Sequence, residues 1–249
     1  MALVNGATTR TLDGTVHAAW SDASRGDLRP TGQGPADASA LVRLAADLAE
    51  ATSTRIGQVA WATQVHGPGV VVVDGPGGPT GIVSRHLGEH DALITASAGT
   101  AVCVLTADCA PIALSSPEGV CAAVHAGWRG LVAGVVETSV ATMRTLGATE
   151  VTAALGPCIH TSCYEFSPAD LEVVEAALGP TVRGTTPAGR SALDLVAGVT
   201  VAVTGAGARM ADGVGVCTAC GVGQFSHRAR SDVERQALLV WSAPPEVGS

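Results

Sequence analysis

Three short stretches carry residues able to do chemistry together: TQVHG with His66, TADC with Cys109, and VHAGWRG with His125. Each follows an apolar, strand-like run and precedes a turn rich in glycine or proline, so all three side chains can project at the same edge of a sheet. Two imidazoles and a thiolate suit Zn²⁺, and three protein ligands leave a fourth position for water or substrate, as catalytic zinc requires. Copper is compatible with the same set, because it binds such ligands more tightly than zinc. Taken singly, either histidine reads more simply as a satisfied core residue.

The residues around these three have two readings each. A helix is expected to begin where VHAGWRG ends, and its first N–H groups with the Arg129 fork can hold an anion such as phosphate; Arg129 can equally pair with a surface carboxylate. Asp108, beside Cys109, can orient a ligand histidine or act as general acid or base, or it can cap a turn. Gln64 is a candidate purine contact or a strand-edge polar residue. Arg43 either faces a pocket or lies on a solvated helix face.

Other patterns carry less. HLGEH (86–90) matches an inverted zinc-peptidase motif, but that chemistry needs His86 and His90 on one helix face, and Gly88 and a following strand argue against a helix. Cys217 and Cys220 form a CxxC that could be redox-active or join Cys158 and Cys163 around a structural metal; buried thiols are the simpler reading. GAG at 205–207 lacks the third glycine of a nucleotide loop.

The bulk of the chain must position these residues. It has 249 residues, 47% hydrophobic and 14% charged, with 31 glycines and few aromatics, which describes a globular protein of closely packed elements. A net charge of −8 with scattered arginines excludes a phosphate-backbone partner, so no nucleic acid is expected. The start MALVNGATTR lacks the features of a secretory signal, and no apolar run reaches the length of a membrane span. Seven cysteines, an odd number placed mostly in apolar runs, suit a reducing compartment, so a cytoplasmic location is expected. Nothing in the sequence specifies an oligomeric state.

Residues 1–35 predict short strands and a loop, and ADASALVRLAADLAEAT predicts an amphipathic helix with Leu41, Leu44, Ala45 and Leu48 on its buried face behind a Ser39 cap. QVAWATQVH, GVVVVD, DALITAS and TAVCVLTADC read as strands, with GPGGPTG as a flexible loop, and PIALSS with GVCAAVHA as a hairpin about SPEG. One helix is expected over LVAGVVETSVATMRTLG, stopping at Gly147, then a strand at VTAAL and a helix opened by Ser167 and Pro168 and closed by Gly179. LDLVAGVTVAVTGAGA is read as a helix, GVGVCTACG and QFSHR as closing strands, and DVERQALLVWS as a terminal helix. Interleaved helices and strands with an embedded hairpin predict an α+β fold of mixed sheets, with no linker dividing residues 1–249 into separate domains.

TQVHG, DALIT, TADCAPI, VHAGWRG, GPCIHTSCYEF and the closing CT…FSHR with ERQA resemble the laccase-domain purine nucleoside phosphorylases, the YfiH-like family formerly described as multicopper polyphenol oxidases. The matches follow family order over residues 61–237. The resemblance implies a layered αββα sandwich and zinc held by His66, Cys109 and His125. It also implies phosphorolysis of adenosine, inosine, guanosine and methylthioadenosine, with adenosine deamination beside it. Purine nucleoside and phosphate are then the partners. Asp108, Cys109 and His125 become the candidate catalytic residues, and Arg43, Gln64 and Arg129 the candidate substrate contacts. The chain departs from the family where SRGDLR replaces a Ser-Leu-Asn-Leu stretch, where Val42 precedes Arg43 in place of Asn, and at Glu234.

Three rival functions remain in view. A multicopper oxidase needs paired His-x-His motifs, and this chain has none. A cysteine hydrolase acting on cell-wall precursors would use Cys109 as nucleophile and His125 as base, and would demand a thiolate free of metal. A non-catalytic binding module would hold nucleosides without turning them over.

Overall fold

The computed structural model describes residues 2–75, 81–213 and 215–243. Most of the expected GPGGPTG loop lies outside them. Among the described residues there are fifteen strands: β1 (Ala2–Val4), β2 (Ala7–Thr11), β3 (Val16–Ser21), β4 (Gln58–Thr63), β5 (Val70–Val72), β6 (Val83–Glu89), β7 (Ala92–Thr95), β8 (Thr100–Thr106), β9 (Ala110–Ser115), β10 (Cys121–Ala126), β11 (Thr152–Leu155), β12 (Arg183–Thr185), β13 (Ser191–Leu193), β14 (Arg209–Met210) and β15 (Gln236–Ser242). The helices are α1 (Ser39–Thr52), α2 (Trp128–Val132), α3 (Val135–Thr145), α4 (Pro168–Leu178), α5 (Leu195–Gly205) and the short α6 (His227–Arg230).

Two mixed sheets stack face to face. One has the order β1-β2-β3-β15-β8-β4-β6 and the other β14-β11-β9-β10-β7-β5, while β12 and β13 form a separate ribbon. Between the sheets lies a layer of small and branched side chains, including Ala60, Val102, Val104, Ala113, Ala123, Leu238 and Val240. The outer face of the first sheet packs on α1 through Trp61, Cys103, Leu239 and Trp241 against Leu41, Leu44 and Leu48. The outer face of the second packs on the remaining long helices, with Ala122, Val124 and Ile112 against Val136, Val140 and Val199. The result is the expected αββα layering in an α+β fold.

The terminal segment departs from the expected helix. Gln236–Ser242 is a strand buried at every position, hydrogen-bonded between β3 and β8 in the middle of the larger sheet. Leu239 and Trp241 point to α1 while Leu238 and Val240 point between the sheets, so both faces are covered and no alternation shows in the sequence. The CTAC and FSHR segments also fail to close the sheet as strands. Cys217 makes one isolated bridge to Cys158, and FSHR enters α6 through a Ser226 cap. Two smaller corrections concern helices. The helix predicted after Gly130 begins earlier, at Trp128, and is broken at Gly134, whose φ of 85° suits glycine. Ser39 is the first helical residue of α1 and supplies no side-chain cap.

Candidate metal centre and cavity

His66, Cys109 and His125 meet where the ends of both sheets converge, with one ligand atom from each lying within 4.8 Å of the others. They do not share one sheet edge, as the sequence suggested. His66 follows β4 and Cys109 sits in the crossing from β8 in one sheet to β9 in the other, whereas His125 is the penultimate residue of β10. Cys109 Sγ lies 3.7 Å from His66 Nε2, and the two imidazoles meet edge to face with centroids 4.9 Å apart. His66 is exposed, Cys109 half-buried and His125 buried.

Asp91 organises this group, and sequence reasoning passed over it. Its buried carboxylate lies 2.8 Å from His125 Nδ1 and accepts the backbone N–H groups of Val65, His66 and Gly67 at 3.2, 2.9 and 2.8 Å. An ionised carboxylate only accepts, so the proton sits on Nδ1 and Nε2 is left for a ligand role. The same bonds hold His66 at φ 59°, a left-handed conformation uncommon outside glycine. Burial opposes ionisation of Asp91, but the His125 and backbone donors prevail and hold it below the usual carboxylate range. The available signal was an acid directly preceding the apolar strand in DALIT.

Electrostatics ties the three side chains together. Burial pushes the Cys109 thiol up, yet the charge and N–H groups of His125 and His66 outweigh it and bring it to about 6. Burial likewise disfavours the His125 imidazolium, but the Cys109 sulfur and Asp91 raise it to about 9. Gly127 closes the cradle: a Cβ there would stand 2.9 Å from His66 Cδ2 and 3.1 Å from Cys109 Sγ.

The group opens on a cavity of about 650 Å³ lined by Trp61, Leu105 and Tyr164 and by four basic residues, Arg29, His227, Arg228 and Arg235. Of the expected substrate contacts, only Gln64 reaches it, and its amide is bonded at both ends to the Leu105 backbone, clamping β8. Arg129 is exposed and stacks on Trp128 at 4.3 Å, outside the residues that line the cavity. Arg43 lines a different hollow, with Arg25 and Asp47.

Asp108 does not orient a histidine through any of its carboxylate bonds. It receives Thr218 Oγ1, Ser226 Oγ and the Arg228 N–H, each at 2.6 Å, and so anchors the 218–228 segment beside Cys109. Its φ of 96° is a second strained backbone at this centre. The basic residues were missed because sequence distance hides them: Arg29 lies in the divergent SRGDLR stretch, and His227, Arg228 and Arg235 in FSHR and ERQA.

Comparison with known proteins agrees with this architecture. Residues 27–243 match the family described as multi-copper polyphenol oxidoreductase laccase. A purine nucleoside phosphorylase of Streptomyces coelicolor is 41% identical over 74% of this chain and 75% of its own length. Another from Mycobacterium tuberculosis is 38% identical over 82% and 80%. YlmD from Geobacillus stearothermophilus superposes with a TM-score of 0.70 at 24% identity, covering 92% of this chain and 93% of that one. The Bacillus licheniformis protein YfiH gives 0.72 at 20% identity, covering 91% and 92%. These two show the fold.

Proposed function

The chain belongs to the multi-copper polyphenol oxidoreductase laccase family, and from that footing we propose that it is an enzyme, a zinc-dependent purine nucleoside phosphorylase. Its substrates on this reading are adenosine, inosine, guanosine and methylthioadenosine, with adenosine deamination as a second activity and the cytoplasm as its location. The observation that carries the reading is the junction of the His66, Cys109 and His125 group with a cavity bearing four basic residues. The relatives named purine nucleoside phosphorylase support the reaction class.

The residues fit zinc. One thiol already drawn toward its anion and two imidazoles, one of them fixed by Asp91, form a borderline-soft donor set. When bound, zinc would supply Lewis acidity at neutral pH. Asp91 holds the Nδ1 proton of His125 and keeps that ring in register. Arg29, Arg228 and Arg235 supply the positive field for phosphate, each fixed by protein acceptors: Arg29 by Asp27, Arg228 by the Glu165 carbonyl, and Arg235 by the carbonyls of residues 232–234. Each guanidinium has five donors, more than these bonds occupy. Trp61 and Leu105 give the cavity an apolar wall for a purine. Burial pushes the Tyr164 hydroxyl well up, so it stays protonated and can donate to the departing base.

The test is product analysis of adenosine incubated with and without phosphate. Adenine and ribose 1-phosphate are expected only with phosphate, and inosine in both. Unchanged adenosine in both arms would leave a binding module.

A second reading is favoured by one observation: without metal, Cys109 and His125 form a thiolate–imidazolium pair, the arrangement of a cysteine hydrolase. The two readings oppose each other, since a thiolate bound to zinc is not free to attack. An oxidase with a copper cluster has less to stand on, because the chain lacks His-x-His pairs.

A further inference from the structure

Away from the first centre, the sulfurs of Cys163, Cys217 and Cys220 converge to within 4.8 Å of one another. From sequence, buried thiols are the simpler reading and a redox pair or a metal site shared with Cys158 and Cys163 the alternatives; of these three, Cys217 is buried, Cys163 half-buried and Cys220 exposed. Cys158 lies close by in the chain pairing but is not one of the three.

The surroundings are built to hold these sulfurs. The 158 and 217 segments run side by side, with Cys158 N–H bonded to the Val216 carbonyl at 3.2 Å and Thr218 N–H to the Cys158 carbonyl at 3.0 Å. The His160 N–H points at Cys217 Sγ at 3.4 Å. Gly221 closes the turn with an N–H bond to the Cys217 carbonyl at 2.7 Å, and a Cβ there would lie 2.3 Å from that oxygen, so no side chain fits. The Arg230 guanidinium binds the Thr218 and Ala219 carbonyls at 3.2 and 3.1 Å and pairs with Asp232 at 3.0 Å, tying the turn to the end of α6.

A tight CxxC turn with the His160 N–H aimed at its first sulfur, plus a third sulfur from another segment, supplies three of the four ligands of a tetrahedral zinc site, in which Zn–S bonds of about 2.3 Å set the sulfurs roughly 3.8 Å apart. We propose that Cys163, Cys217 and Cys220 bind a second zinc ion that braces the fold, with a water molecule completing its four-coordinate shell. Cys163 and Ala219 line a surface hollow of about 420 Å³ that gives the ion a route in. Binding releases the thiol protons to solvent. The ion would pin the turn carrying Thr218, whose hydroxyl holds Asp108 beside Cys109, and would brace Tyr164 next to Cys163 in the wall of the cavity.

The proposal is independent of the first centre, and zinc counting by mass spectrometry separates the two. The full chain, expressed with zinc and purified without chelator, is expected to hold close to two ions. A Cys217→Ser/Cys220→Ser variant should hold one fewer. A His66→Ala/His125→Ala variant should keep one, and its cobalt-loaded form should show thiolate charge-transfer absorption that disappears on adding Cys217→Ser. A His66→Ala/His125→Ala protein with no zinc overturns the proposal; a wild type holding a single ion that survives this double substitution overturns only the first site. Since the cysteine variants could unfold, peptide mapping of alkylation on the wild type gives a second measurement. Zinc should protect Cys220 and a chelator should expose it. Equal labelling in both states, or a Cys217–Cys220 disulfide in the purified protein, also overturns the proposal.

Discussion

Asp91 Oδ1 stands 2.8 Å from His125 Nδ1, and the same carboxylate gathers the backbone of residues 65–67, so one buried acid sets both the tautomer of one histidine and the position of the other. Asp91→Asn leaves the volume unchanged but removes the charge. Metal affinity, measured by competition with a chromophoric chelator, should fall by about 10–100-fold. Unchanged affinity would mean that the pair only supports the fold.

The acid sensitivity of the protein should change with the same variant. Because Asp91 is held below the usual carboxylate range, its contribution to stability is complete above that range and is lost as pH falls through the lowered value. Thermal melts of metal-free protein from neutral pH into the acid range should show the wild type losing stability more steeply than Asp91→Asn. Parallel curves would contradict this.

Cys109→Ala should lose the zinc of the first centre and nucleoside turnover together. Chelator treatment of the wild type should abolish turnover, and added zinc should restore it. If stripped protein keeps full activity while alkylation of Cys109 abolishes it, the hydrolase reading is correct.

Phosphate binding can be separated from base chemistry. Removing a charge-assisted contact of about 1.5–3 kcal/mol weakens phosphate by roughly 10–100-fold, so Arg228→Ala should raise the phosphate KM by that order. Adenosine deamination, which uses no phosphate, should change far less. An equal loss in both activities would place Arg228 in a structural role.

The terminal strand should behave as core. Trp241 is fully buried, donates Nε1–H to Thr54 at 2.9 Å and stacks on His17 at 5.4 Å. Trp241→Ala should cost about 3–5 kcal/mol in urea denaturation, as large aromatic truncations do. A loss under about 1 kcal/mol would be that of a surface position.

Local chemistry alone carried much of this protein into view. Period-two and buried apolar runs marked β4, β5 and β7 to β10 but not β6, Ser167 and Gly179 marked both ends of α4, and the strand-end positions of His66, Cys109 and His125 marked the residues that converge. Those signals are short-range: a cap, a turn or a run of β-branched residues acts within a few residues of itself.

Tertiary structure decided what depends on partners distant in sequence. Gln236–Ser242 is a strand because β3 and β8 flank it and both of its faces are covered, and a uniformly apolar run cannot announce that. Asp91, and not Asp108, orients His125, since a carboxylate's role is set by which donors the fold brings within about 3 Å of it. Arg29, Arg228 and Arg235 replace Arg43 and Arg129 at the cavity for the same reason. Residue types and spacing named the possible ligands; the stacking of two sheets chose which of them meet.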